Sequence, residues 1–412
     1  MKSTTKRSQH PGLHSILDKI HRREGVTNEE LQQLRWQINE LEELGRREHR
    51  EDEGLIRFDP AVANAAMGSM LSGNATSKGV ERFARNFGKQ SIAFYRRAQD
   101  VFVSSVGIGT YRGAMTKEAD AAYAAAVHAA LKGGINLIDT SINYRQQRSE
   151  GAVAEGVRRF VEESGGNRDE VVVCTKGGYL VPRAVTPGTV GANDVVDGTH
   201  SIAGAFLADQ INRSRRNLGL ETIDVYYLHN PETQLKFIEM PEFTRRIHVA
   251  FDQLEQAVSD GFIRYYGTAT WDGYFGGGLS LRALAEAARR IAGDNHHFRF
   301  VQLPFNIGMR EALIHAEGEM DILDMSAELG ITVIASASLL QGRLSRNLPG
   351  EFARSMPGLS TDAQRAIQFT RSNPGITSAL VGMQKVTHVM ENLVVAGIPP
   401  MTISDLSPAA YR

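Results

Sequence analysis

The sequence predicts an α/β protein, a (β/α)8 TIM barrel with an N-terminal, mainly helical extension, and three observations carry that prediction. Eight short apolar, β-branched runs recur after about residue 98, amphipathic helical stretches separate them, and glycines mark the passage from helix to strand. Regular alternation of this kind needs parallel strands joined by crossover helices. Eight such units over about 290 residues suit a closed barrel, whose usual size is roughly 250 residues.

The elements follow in order. Residues 1–97 are polar, alternately basic and acidic, and contain no convincing strand, so they are read as the extension, with 98–412 as the barrel domain. Within the extension Thr27 and Glu30 have the spacing of a capping box, in which each side chain satisfies an orphan backbone N–H at a helix start. Leu31, Leu34, Ile38 and Leu41 then repeat at helical spacing and line one face. That face has to be buried, against the barrel or against a second copy of the chain, which makes a homo-oligomer through the N-terminal helices a possible assembly.

The eight strand candidates are VFVSSVGIG, INLIDT, VVVCTK, IDVYYLH, FIRYYGT, RFVQL, ITVIAS and ITSALVG, starting at Val101, Ile135, Val171, Ile223, Phe262, Arg299, Ile331 and Ile376. Between them, Tyr123, Val127, Ala130 and Leu131 make one inward helical face, and Phe251, Leu254 and Val258 another. Gly133, Gly219, Gly261 and Gly330 each close a helical stretch, where a left-handed cap needs a residue without a side chain. A doubly wound open sheet is the rival fold. It requires a G-x-G-x-x-G turn after the first strand, whereas GIGTYRG supplies Gly107 and Gly109 and then places Arg112 at the third glycine position.

Composition narrows the function classes. Of the 412 residues 42% are hydrophobic and 23% charged, enough to bury a large core. A formal net charge of -1 and a pI near 6.9 give no field that would gather nucleic acid or an anionic membrane, so a small-molecule partner is expected. One cysteine, Cys174, makes no internal disulfide and is read as a small buried strand residue in a reducing compartment. No apolar run reaches the ~18 residues of a membrane span and no signal-peptide core follows the basic start, so the expected location is cytoplasmic.

Chemistry is sought at the C-terminal strand ends, the active face of such barrels. The second candidate strand ends in Asp139, the third in Lys176 and the fourth in His229, and Tyr144 follows Asp139 by five residues. A lysine beside a carboxylate keeps its charge, and a charged lysine beside a tyrosine lowers a phenolic pKa that is otherwise about 10. The phenol then becomes a usable proton donor.

The segments GIGTYRG, INLIDTSINY, VVVCTKGG, IDVYYLHNPE, FIRYYGTATW, FVQLPFN and ALVGMQKVTHVMENL resemble the aldo-keto reductase family over about residues 98 to 395. The most specific parts are the D-x-x-x-x-Y spacing of Asp139 and Tyr144, the T-K pair ending at Lys176, and the Y-Y-L-H-N-P run around His229. The resemblance implies NAD(P)H-dependent reduction of an aldehyde or ketone, or oxidation of the corresponding alcohol or sugar. Tyr144 would act as general acid/base, Lys176 paired with Asp139 would tune it, and His229 would orient the substrate. No metal is implied.

The resemblance also assigns a cofactor site, NADP being favoured and NAD possible. Gly109, Thr110 and Tyr111, together with Asp139, meet the nicotinamide end, and Gln302 matches a carboxamide-contacting glutamine. The family's usual Ser-Asn is replaced by Ala269 and Thr270, and Ser336 stands where relatives carry a stacking tyrosine. Leu339, Gln341 and Gly342 approach the pyrophosphate. Gly382, read as opening the last helix, Gln384 and Lys385 suit a phosphate, and His388 and Asn392 match adenosine-holding positions.

Two other functions stay open: a Schiff-base lyase using Lys176, and a non-enzymatic nucleotide-binding scaffold or sensor. His296 and His297 are expected on the surface, since nothing near them has metal-ligand spacing. Trp271 and Tyr274 are candidates for the substrate mouth. Substrate choice belongs to the long loops VPRAVTPGTVGANDVVDGTH and SRNLPGEFARSMPG, whose length marks function without naming it.

Overall fold

In the computed structural model, residues 70–91, 93–314 and 320–402 are described. The helix expected from Thr27, and the self-association surface assigned to its apolar face, lie outside them. Strands β3 (Val106–Gly109), β4 (Leu137–Asp139), β5 (Val172–Gly177), β6 (Ile223–His229), β7 (Ile263–Ala269), β8 (Phe298–Pro304), β9 (Thr332–Ser336) and β10 (Ile376–Gly382) close into one barrel. Every neighbouring pair is parallel, including β10 with β3. The eightfold alternation read from the sequence is therefore the observed architecture.

Besides shifts of one or two residues at five strand starts, the first strand differs from the expectation. The run VFVSSVGIG is two strands: β2 (Val101–Ser104) pairs antiparallel with β1 (Tyr95–Ala98), and only Val106 onward joins the barrel. A strand therefore does lie in the region read as strand-free. Ser105 makes the switch, its N–H donating to Phe94 at 2.6 Å while its carbonyl accepts from Ala379 N at 3.0 Å. Periodicity continues across this residue, so nothing local announces a change of partner.

The β1–β2 hairpin closes the N-terminal end of the barrel. Ala98, Val101 and Val103 are buried in one cluster with the inward-facing Leu137, Cys174, Val225, Tyr227 and Phe300. Helix α1 (Ser77–Arg85), capped by the Thr76 side chain, packs beside them, with Phe83 meeting Phe160 edge-on at 6.0 Å. Here Asp224 accepts from Ala75 N (2.7 Å), Val173 N (2.8 Å) and the Arg168 guanidinium (2.7 Å).

The outer layer comprises α2 (Lys117–Lys132), α3 (Arg148–Glu163), α4 (Gly204–Leu218), α5 (Met240–Ser259), α6 (Leu281–Ala292), α7 (Ile322–Glu328), α8 (Gly350–Ser355), α9 (Asp362–Ser372) and α10 (Val386–Asn392). Their inward stripes, such as Tyr123, Val127 and Leu131 of α2 and Phe251 and Leu254 of α5, are buried against the strands. Among the expected caps Gly133 is corrected. It stays right-handed, and the left-handed turn falls on Gly134 at φ 98°.

The histidine pair also differs from expectation. His296 is buried, and His297 Nδ1 lies 2.7 Å from the Glu255 carboxylate, because the start of β8 tucks under α5. No helix among the described residues is long and apolar enough to cross a membrane.

Candidate active site

Asp139, Lys176 and His229 sit at the C-terminal ends of three adjacent strands, β4, β5 and β6. Side chains two residues apart share a face of a strand, so Lys176 points inward above Cys174, and His229 above Tyr227 and Val225. Lys176 is fully buried. Its Nζ donates to Asp139 Oδ1 at 2.6 Å and to the Thr140 carbonyl at 2.8 Å. The second carboxylate oxygen, Oδ2, accepts from Gln302 Nε2 at 2.7 Å across the barrel.

A buried ion pair offsets its desolvation only when further hydrogen bonds satisfy it, and this one has them. Burial pushes the Asp139 carboxyl upward, while the Lys176 ammonium and the Gln302 amide oppose that rise. The two acceptors on Nζ also weigh against a Schiff-base role, which needs a free, uncharged amine.

The loop after β4 carries Tyr144 over this pair, with Lys176 Nζ 4.7 Å from the ring centroid. Tyr111 and His229 meet the ring edge-on at 4.9 and 5.8 Å. Three left-handed residues follow, Arg145, Gln146 and Gln147. Such backbone persists only when its surroundings over-determine it. Arg145 supplies the restraint, bonding the Ala114 carbonyl at 2.9 Å and the Asp120 carboxylate. All four residues picked out from the sequence therefore converge on one mouth.

His229 is held neutral, its pKa driven well down by burial and then by the nearby Lys176 ammonium. Its Nδ1 lies 3.2 Å from Ser141 Oγ, a hydroxyl that also reaches Asn143 Oδ1 at 2.6 Å.

The expected cofactor positions divide into three groups. Gly109 and Tyr111 border the mouth, Tyr111 being 51% exposed, whereas Thr110 is buried with its hydroxyl 2.9 Å from Thr140 Oγ1. Thr270 gives its one proton to Glu232 Oε1 at 2.8 Å and accepts from Gly273 N at 2.7 Å. Gln302 has committed an amide hydrogen to Asp139. Tyr274 turns its hydroxyl onto Thr268 Oγ1 at 2.6 Å and packs beneath its loop, while Trp271 is partly exposed.

Past β9 the chain makes an unusual bend, with Ala337, Leu340, Gln341 and Gly342 all left-handed. Leu339 lies within it. Arg112 donates to the Gln341 carbonyl at 3.1 Å, and Arg343 is close enough for Arg112 to depress its pKa, after burial. Gly382 ends β10 rather than opening a helix, since three residues intervene and Lys385 is the N-cap of α10. Gln384 lies against Gly113, Lys385 and His388 are exposed, and Asn392 is buried. Asn392 Oδ1 and Ser338 Oγ are buried polar atoms without a protein partner. Two guanidiniums beside one bend, with the unsatisfied Ser338 hydroxyl at its start, fit an anionic, polar ligand such as a dinucleotide.

Sequence reasoning missed Arg112 and Arg343 as a cationic pair, Glu232 as a buried acid, and Tyr179 and His200 beside His229. Arg112 was visible only as the residue that spoiled a glycine pattern. His200 gave no signal, lying at the end of a long loop with no spacing that ties it to a strand end.

A model of the Aldo/keto reductase family matches residues 105–407. The chain belongs to that family. Among solved structures, an aldo/keto reductase from Klebsiella pneumoniae in complex with NADP and acetate superposes with a TM-score of 0.54, at 20% identity over 77% of this chain and 94% of that one. The glycerol dehydrogenase of Gluconobacter oxydans gives 0.55 at 21% identity over 77% and 94%. A putative voltage-gated potassium channel subunit beta of Schizosaccharomyces pombe is 23% identical over 293 residues, 63% of this chain and 74% of that protein. At these identities the structural likeness shows the fold alone.

Proposed function

We propose that this aldo/keto reductase is an NADP(H)-dependent oxidoreductase that interconverts a small carbonyl compound and its alcohol, with Tyr144 as general acid/base. The placement of Lys176 Nζ, on Asp139 at 2.6 Å and 4.7 Å from the Tyr144 ring, carries this reading. An ammonium at that distance favours the phenolate, so the phenol gives up its proton more readily when a substrate oxygen gains negative charge.

His229, kept neutral, donates a hydrogen bond to the same oxygen. Nε2–H then faces the mouth once Ser141 Oγ turns its one proton from Asn143 Oδ1 and the Lys176 carbonyl, 2.6 and 3.2 Å away, to His229 Nδ1. When bound, the nicotinamide supplies the hydride; the Klebsiella pneumoniae structure named above, an NADP complex, supports that cofactor. Gly109, Thr110 and Tyr111 would border its reactive end and Gln302 its carboxamide. The bend at Leu339, Gln341 and Gly342 with Arg112 and Arg343 would hold its phosphates, and Gln384, Lys385, His388 and Asn392 its adenosine end.

The test is a panel of aldehydes, ketones and sugars with NADPH and NADH, run on the natural chain and on Tyr144→Phe. Turnover with NADPH, lost in the variant while NADPH fluorescence quenching on binding persists, is expected. A second reading, a nucleotide-binding subunit without turnover, is favoured by the channel-subunit relative. It predicts NADPH binding and no oxidation with any member of the panel.

A further inference from the structure

The main chain of His229 is held from behind by a hydrogen-bond chain that lies outside the group of Asp139, Tyr144, Lys176 and His229. His200 is fully buried, and its Nε2 lies 2.8 Å from the His229 carbonyl. A carbonyl only accepts, so Nε2 carries the proton. The other ring nitrogen, Nδ1, therefore accepts, and Gln234 Nε2 donates to it at 2.8 Å. The Gln234 amide cannot be reversed, because its Oε1 accepts from the Arg246 guanidinium at 2.7 Å and that group only donates.

Arg246 is itself anchored, donating to Glu242 Oε1 at 2.8 Å and to the Asn193 carbonyl at 2.7 Å in the long loop after β5. Every link from Arg246 through Gln234 and His200 to His229 thus runs in one permitted direction. Burial reinforces it, lowering the His200 pKa to about 4.

Two further observations show that the contact is built. Gly178 has φ +146°, and a Cβ there would lie 2.9 Å from the His229 carbonyl oxygen and 3.0 Å from His200 Nε2, so only glycine lets the two strand ends close around this bond. The Tyr179 ring is wedged edge-on between His200 at 5.0 Å and His229 at 5.1 Å, its hydroxyl accepting from Asn230 Nδ2 at 2.9 Å.

We infer that His200 is a positioning residue: through its Nε2–H it fixes the main chain of His229, and so the direction in which the His229 ring faces the substrate, with Gln234 and Arg246 setting its tautomer. This rests on the reading of His229 as the group that orients the carbonyl. The consequence is that a segment of the long loop after β5 serves the chemistry as well as the surface.

The experiment compares the natural 412-residue chain with His200→Leu, His200→Gln and Arg246→Met. Glutamine places an amide N–H the same number of bonds from Cα as histidine Nε2, so it restores the donor. His200→Leu is expected to lower kcat about tenfold, as small misplacements of a substrate-facing group do, with NADPH affinity within about twofold of the natural chain. His200→Gln is expected to recover to within about threefold. Unchanged kcat in His200→Leu, or equal loss in both variants, overturns the inference.

If His200→Leu fails to fold, Arg246→Met decides. A loss confined to kcat supports the chain, and unchanged kcat overturns it. If the natural chain turns over no carbonyl, the reductase reading fails by itself, and nitrogen NMR of labelled histidines still settles the geometry. His229 ring signals moved by His200→Leu and restored by His200→Gln support the inference; signals unmoved by His200→Leu overturn it.

Discussion

Two ion pairs are buried at opposite ends of one barrel, and they differ in what surrounds them. At the N-terminal end Arg168 and Asp224 expose 5% and 3% of their side chains, and at the C-terminal end Lys176 and Asp139 expose 0% and 6%. Burial alone does not separate them. Asp224 is enclosed by two backbone N–H groups and Arg168, which in turn binds the Thr222 carbonyl at 2.9 Å, so every neighbour is framework. Lys176 has a reactive side chain on its open side, the ring of Tyr144. A buried charge satisfied by backbone locks strands together, whereas one facing a titratable ring at a mouth is placed for chemistry.

The comparison can be broken by experiment, beginning with the largest effect. Tyr144→Phe removes the proton donor and leaves both pairs intact. Turnover should fall about a hundredfold to ten-thousandfold, with the thermal midpoint nearly unchanged. A parallel loss of stability would mean that the phenol is framework as well.

Next come the pairs themselves. Lys176→Met and Arg168→Met each remove the cation paired with a buried carboxylate, and each should cost about 3–5 kcal/mol in denaturant unfolding. They should part company in turnover per folded molecule, lost in Lys176→Met and retained in Arg168→Met. Equal activities would erase the distinction between the two ends.

A third buried acid sharpens the same contrast. Burial raises the Glu232 pKa from an ordinary 4.5 to about 7, against hydrogen bonds from Thr270 and Trp271. The folded protein therefore keeps a proton that the unfolded chain releases above pH 4.5. Its contribution is complete below the unfolded value and is lost as pH rises to about 7, a total of roughly 3 kcal/mol. Unfolding free energies measured from pH 4.5 to 7.5 should show that slope, and Glu232→Gln should flatten it. The smallest effect is expected where no charge is buried: Thr116→Ala removes the side-chain cap of α2 and should cost about 1 kcal/mol, with kcat within about twofold of the natural chain.

Much of the fold was legible because barrel strands are buried on both faces and read as continuous apolar runs. Ile223 and Ile376 begin strands where the sequence placed them. The split at Ser105 was hidden because pairing direction is a property of distant partners, Phe94 and Ala379, and local pattern does not encode it. The tetrad was legible for the same reason as the strands, each member lying at or just past the end of an apolar run. His296 was misjudged because a loop histidine under a helix looks, in sequence, like one in solvent.

What the sequence determined by itself is the set of groups that can react and the order in which strands deliver them: Asp139, Tyr144, Lys176 and His229 are named by position along an alternating chain. What only the tertiary structure decided is which of their atoms are already spoken for. Closure of the barrel brings Gln302 onto Asp139 across 163 positions, and a loop return brings His200 onto the His229 carbonyl. Hydrogen bonds act over about 3 Å, and separations that short between residues far apart in sequence exist only after folding.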